Sequence, residues 1–158
     1  MKSLLLKDTF KILGQVKWQK FKAGTKQLIA ESQWSPNQVI ATDGRGIYLF
    51  LDHLTGDDTY SIPITHADMG DDDTAATATD IDLGNGLERA SIGAVSRSGS
   101  TATFRFFYAD ALTSDDTYKE FGMFIGSQLF SRAVFSSPYS KSSGENTRLD
   151  YKITLSAV

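Results

Sequence analysis

Six aspartates lie between positions 68 and 82: Asp68, the run Asp71-Asp72-Asp73, Asp80 and Asp82. Carboxylate oxygens gathered on a loop are the donor set a calcium ion takes. A calcium-binding helix-loop-helix alternates its acidic positions and closes on a Glu, and this segment does neither. The cluster therefore reads as a solvated loop or the polar rim of an interface, and no metal site is assigned. His53 and His66 fall outside any metal-ligand spacing, and His53 near a helix end is a position that the helix dipole favours.

Glu120 opens the aromatic run Phe121-Gly122-Met123-Phe124, where a strand with a buried face would take the carboxylate out of water. A buried carboxylate needs a partner. Arg89 on an earlier strand and Arg132 across the next hairpin are the structural pair candidates.

The remaining chemistry-bearing residues form no catalytic set. Ser136, Ser137, Ser140, Ser142 and Ser143 lack the Gly-x-Ser-x-Gly setting of a strained nucleophile turn. Gly84-Asn85-Gly86 is not followed by the Gly-Lys-Ser/Thr of a phosphate loop and reads as a turn. Lys17, Lys20, Lys22 and Lys26 interleave with Trp18 and Phe21 as a nucleic-acid platform would, but alternation sends Trp18 and Lys17 to opposite faces. No catalytic residue, cofactor or metal is expected, and the chain reads as a non-enzyme. Trp34, Tyr60 and Tyr139, placed on loops, together with Asp71, Asp72 and Asp73, are the interface candidates.

The elements that position these residues are strands. Apolar side chains alternate from Phe10 through Ile12, Val16 and Trp18, with Gly14 marking a bulge or a close backbone approach. Ala23-Gly24-Thr25 turns the chain into a hairpin partner over 27–32. Between Asp43 and Gly56, Ile47, Phe50, Leu51 and Leu54 follow helical spacing, which predicts one amphipathic helix lying on the sheet. Thr42 or Asp43 would cap its start and Gly56 would end it. Residues 60–65 read as a short strand that Pro63 places at an edge or next to a bulge, and 68–82 as a long surface loop. Residues 87–96 and 102–108 form a strand pair, 119–125 and 129–135 a hairpin about Gly126-Ser127. Leu149, Tyr151, Ile153 and Leu155 give the last strand a clear apolar face. This predicts a mainly β fold, an antiparallel β-sandwich or barrel-like domain with one helix packed on it, as a single domain over 1–158.

Composition sets the bounds. With 158 residues, 41% hydrophobic and 22% charged, the chain is able to bury one core. A net charge of -3 gives no general basic field for nucleic acid. The absence of cysteine excludes disulfides and thiolate chemistry and suits assembly in a reducing cytoplasm. Only three apolar residues stand between Lys2 and Lys7, short of a signal-peptide core, and no apolar run is long enough to span a bilayer. Neither nucleic acid nor a membrane is expected as a partner.

The succession Tyr118-Lys119-Glu120-Phe121-Gly122-Met123-Phe124, then Leu129-Phe130-Ser131-Arg132-Ala133-Val134-Phe135, then Leu149-Asp150-Tyr151-Lys152-Ile153-Thr154-Leu155 resembles a group of tailed-bacteriophage virion structural proteins. In these a similar order recurs: a Glu-x-Gly-Leu/Met-Phe strand, a Leu-Phe-x-Arg-x-x-Phe strand, a Lys-containing loop and a closing Tyr/Trp-x-Ile-Thr-Leu strand. Glu120, Gly122, Phe124, Arg132, Phe135, Lys141 and Ile153 fall in place, and the Thr/Ala stretch over 69–83 is similar to a loop of the same group. The resemblance implies a virion protein, assembled in the host cytoplasm, whose partners are other virion proteins (major capsid or tail proteins). It also leads us to expect a homo-oligomer, a trimer being one form. A compact chain with no coiled-coil or fibrous repeat favours capsid decoration. The alternative is a tail tip, baseplate or fibre-associated protein with receptor or carbohydrate binding.

Overall fold

The computed structural model describes residues 10–59 and 63–157. Among the described residues nine strands form one antiparallel sheet: β1 (Phe10–Lys22), β2 (Leu28–Glu31), β3 (Ser35–Val39), β4 (His66–Gly70), β5 (Gly86–Ser98), β6 (Thr101–Tyr108), β7 (Thr117–Ile125), β8 (Gln128–Ser140) and β9 (Glu145–Ala157). One helix, α1 (Tyr48–Leu54), follows β3. The order β1-β3-β8-β7-β4-β5-β6-β9 returns to β1, so eight strands close into a barrel and β2 lies outside the ring against β1. Closure removes the sheet edges that an open sandwich leaves unpaired. Of the two architectures that the alternation allowed, the barrel is the one formed.

The closing seam is the longest pairing in the molecule, running without a register shift from Phe10↔Ala157 to Lys22↔Glu145. Alternation along it sends Val16, Leu149 and Tyr151 inward, all fully buried. Gly14 sits in this seam for the reason its type suggests. A Cβ there would stand 1.8 Å from Asn37 Oδ1 and 2.6 Å from the Tyr151 hydroxyl, so it marks a close approach and not a bulge.

The core is aromatic, with Tyr118, Tyr139, Tyr151, Phe106, Phe121 and Phe130 among its fully buried side chains. Each such burial is worth roughly 1.5–3 kcal/mol relative to exposure. A tyrosine gains this only if its hydroxyl keeps a partner. Tyr108 donates to the Ala67 carbonyl at 2.8 Å, Tyr118 to the Ser114 carbonyl at 2.9 Å, Tyr139 pairs with Thr147, and the Tyr151 hydroxyl accepts from Asn37 Nδ2 at 2.5 Å. Burial pushes the Tyr139 and Tyr151 phenols up to about 12.

Several expectations are corrected. The helix starts at Tyr48, and its N-cap, Ile47, makes no side-chain capping bond, so neither Thr42 nor Asp43 caps it. Gly44 and Gly46, with φ of +65° and +57°, turn the chain just before it and delay its start. The phase shifts accordingly: Leu49 is buried, whereas Phe50, Leu51 and Leu54 of the expected apolar stripe face solvent. Gly56 does end the helix, at φ +84°. The predicted strand over 60–65 is not formed at 63–65, and 60–62 lie outside the described residues. In its place stands β4, which begins at His66 and takes Asp68 out of the supposed loop.

Candidate functional site

The most developed polar structure is a clamp on the outside of the barrel wall. On β4, β7 and β8 the inward residues are Ala67, Met69, Phe121, Met123 and Ala133, so Asp68, Gly70, Glu120, Gly122 and Arg132 point outward. Outward positions of a barrel ordinarily meet water. Here residues 71–85 lie across them as a second layer, and Glu120 is fully buried. Leu83 of this crossing segment packs with Ile40, Phe124 and Leu129 in a small apolar cluster outside the barrel.

Arg132 is the centre of the clamp. Its Nε donates to Glu120 Oε2 at 2.8 Å, Nη1 to Asp80 Oδ2 at 3.0 Å and Nη2 to Asp72 Oδ2 at 3.2 Å. Cross-strand register explains the first contact, because Arg132 lies opposite Gly122 and Glu120 opposite Val134, which makes them diagonal neighbours on one face. The Glu120 carboxylate also accepts from the Gly84 amide at 3.0 Å and the Asn85 amide at 2.7 Å. Three donors thus compensate a carboxylate removed from water.

Glycines make room for this layer. A Cβ on Gly70 would stand 2.2 Å from the Asn85 carbonyl oxygen, and one on Gly84 1.7 Å from Asp72 Oδ2. The segment also supports itself locally. Asp72 accepts from the Thr74 amide and hydroxyl at 3.1 and 2.9 Å, and Asp80 from the Thr77 amide and hydroxyl at 3.0 and 2.6 Å. The Thr74 bonds, helped by Arg132, hold the Asp72 carboxyl below the ordinary 3.8. Burial alone would raise Asp80, but the bonds from Thr77 and Arg132 outweigh it and hold Asp80 below 3.8 as well.

Two further basic residues make ion pairs outside the clamp. Arg89 does not reach Glu120. Register places it opposite Asp68, which it grips through Nε and Nη2 at 2.9 and 2.8 Å. Lys141, whose side chain is fully buried, donates to Asp110 and Asp115 at 2.8 Å each, joining the end of β8 to the segment between β6 and β7. Burial disfavours its charge, but the two carboxylates prevail and hold its pKa above the ordinary value.

The interface candidates separate. Asp72 is turned onto Arg132, and Asp71 accepts from Asn85 Nδ2 at 2.7 Å, so neither is a free rim residue. Asp73 is exposed beside Lys119 at 3.2 Å. Trp34 lies between β2 and β3 with Lys152 Nζ 3.7 Å from its ring centroid, a cation–π contact on the surface. Tyr139 is not on a loop: it belongs to β8, is buried and packs 4.9 Å from Trp18, so it is withdrawn as an interface residue. Tyr60 lies outside the described residues.

The sequence reading missed Asp80, Asp72 and the Gly84 and Asn85 amides as parts of one site. The local signals were the Asp72-x-Thr74 and Thr77-x-x-Asp80 spacings, which form self-closing turns. In this site every carboxylate meets a donor of the protein itself. The arrangement holds a second layer on a barrel and presents no nucleophile. Among the described residues no group of three His, Cys, Asp or Glu side chains is placed to hold a metal ion, and no helix is long and apolar enough to cross a membrane. No family model matches the chain, and no curated protein or solved structure matches it.

Proposed function

We propose that this protein is a non-enzymatic structural subunit of a tailed-bacteriophage particle, a decorating and stabilising protein that acts through protein–protein interfaces. The observation that supports the reading is the exposed apolar surface of α1. Tyr48, Phe50, Leu51 and Leu54 are 41%, 39%, 55% and 81% exposed on a helix of seven residues, although helix and wall already touch through Leu49 and an edge-on contact of Phe50 with Phe130. An apolar patch of this kind is kept for a neighbouring protein, whose burial of it forms the dry centre of an interface.

The clamp fits the same task. Ion pairs at Arg132 and Lys141 tie inter-strand segments to the wall, and a subunit held by many shallow contacts loses less on docking when its loops are already ordered. Its partners in this reading are major capsid or tail proteins and further copies of the chain. Cryo-microscopy of the parent particle tests the reading through position and copy number. Many copies on the head surface are expected, and a few copies at the tail tip would replace decoration with tail association. Leu51→Lys with Leu54→Lys should abolish incorporation while leaving the barrel folded, and normal incorporation of that variant would remove α1 from the interface.

A further inference from the structure

The pairing of β7 with β8 contains a large irregularity. Tyr118 lies opposite Tyr139 and Glu120 opposite Val134, so four residues of β8, 135–138, stand against Lys119 alone. A bulge of this size pushes the strand out of the wall and re-aims its side chains. Phe135 turns inward and is buried, while Ser136, Ser137 and Pro138 are exposed. On the other side of β8 the wall also opens, because β3 pairs with it only at Ser131 and Arg132. Between the bulge and the segment joining β2 to β3 lies a cleft of about 330 Å³.

The cleft is preformed. The Trp18 backbone amide donates to Ser32 Oγ at 3.1 Å, which pins the joining segment, and the indole is held against Tyr139. Glu31 on the rim is fixed by Lys17 at 2.7 Å and Gln19 at 2.7 Å. Trp18, partly exposed, supplies the aromatic surface, and Gln33, Ser136 and Ser137 supply an amide and two hydroxyls with no side-chain partner among the described residues.

This lining selects one ligand chemistry. It contains no lysine or arginine, which disfavours a phosphate or another anion, and one carboxylate already engaged, which is too few for a divalent cation. A purely apolar ligand would leave the polar side chains unpaired. A pyranose ring has a C–H face to lay on an aromatic ring and hydroxyls around its edge that both donate and accept, and the volume lies at the small end of the range for ligand pockets. We infer that the cleft between the β8 bulge and the β2–β3 segment binds one neutral hexopyranose residue, with Trp18 as its aromatic platform and Gln33, Ser136 and Ser137 as its hydrogen-bonding edge. The site does not depend on whether the protein sits on a head or a tail, so this inference and the assembly reading fail separately.

The test is a titration of the isotope-labelled full chain with methyl glycosides of glucose, galactose and N-acetylglucosamine, followed through backbone amide resonances. Saturable shifts confined to residue 18 and its immediate neighbours, 31–35 and 135–137 with at least one glycoside are expected, weakened about tenfold in Gln33→Ala, an exposed position whose change leaves the fold intact. Trp18→Phe, which keeps an aromatic ring in the core, should weaken binding further while the remaining spectrum stays native. Absence of saturable shifts with all three glycosides overturns the inference, as does unchanged binding in Gln33→Ala. Shifts with a serine-rich peptide and none with the glycosides would assign the cleft to an extended chain and overturn it equally.

Discussion

Leu83 lies directly over Gly122, where a Cβ would stand 2.7 Å from Leu83 Cδ2 and 3.1 Å from Leu129 Cδ1. Because β7 carries no side chain at that point, Leu83 of the second layer rests directly on the barrel wall. The backbone at Gly122 is ordinary extended strand, so the requirement is one of space and not of left-handed conformation.

Gly122→Ala should therefore lift residues 71–85 while the barrel stays closed. The expected cost is roughly 1–3 kcal/mol, the range for a methyl forced into a packed contact. Limited proteolysis reads it directly: cleavage within 71–85 should accelerate with unchanged far-ultraviolet circular dichroism. Equal protease resistance in variant and parent would show that the layer is not seated by this contact.

Glu120→Gln keeps shape but removes the charge that faces Arg132. A lost hydrogen bond between charged groups costs about 1.5–3 kcal/mol, and Arg132 retains Asp80 and Asp72, which limits the effect to that range. Urea denaturation should show a lower midpoint at unchanged slope. A midpoint equal to the parent's would mean that the pair contributes nothing to stability.

Asp72 and Asp80 give the layer an acid limit. Both carboxyls are held below 3.8 in the folded protein, so their contribution is fully present above that value and is lost as pH falls through the depressed folded values. Protection of the Gly84 and Asn85 amides, measured relative to their intrinsic exchange rates, should be lower at a pH well below 3.8 than at pH 6, and Asp80→Asn should lower it already at pH 6. Protection that is the same at both pH values would detach the layer from these two groups.

His66 acts in a higher window. Burial first, then the nearby Arg89, lowers its pKa below 6.5 against the pull of Asp68, and its ring stacks on Phe124 at 4.9 Å. A histidine that folds in the neutral form contributes stability fully present above 6.5 and lost as pH falls from there through the folded value. Thermal unfolding between about pH 5 and 7 should show this decline in the parent and a flatter profile in His66→Gln. Identical profiles would assign the decline to other groups.

How far the sequence could be read followed from which faces met water. The final strand was legible because Leu149 and Tyr151 face the core while Arg148, Asp150 and Lys152 lie on the other side. The hairpin about Gly126 was legible because β7 and β8 leave only two residues for the turn, with Gly126 at φ +55°. β3 was hidden: Ser35, Pro36, Asn37 and Gln38 carry no apolar alternation, and the strand is held by its neighbours' backbones. β4 was hidden for a different reason. Its outward His66 and Asp68 look solvated in the sequence, yet the neighbouring strands pair them, Asp68 with Arg89 of β5 and His66 with Phe124 of β7. Arg132 could be named as a partner of Glu120 because both lie on one hairpin, whereas choosing Asp68 for Arg89 needed a register that depends on the missed β4.

The seam between β1 and β9 has a consequence for how the ring is made. Its thirteen paired positions join stretches separated by most of the polypeptide, so the strand that leaves the ribosome early keeps that side unsatisfied until the late one arrives. Ring closure is therefore the last pairing step in forming this barrel. Until then an unpaired flank is open to pairing with another nascent copy, which makes the interval before closure the period of greatest aggregation risk.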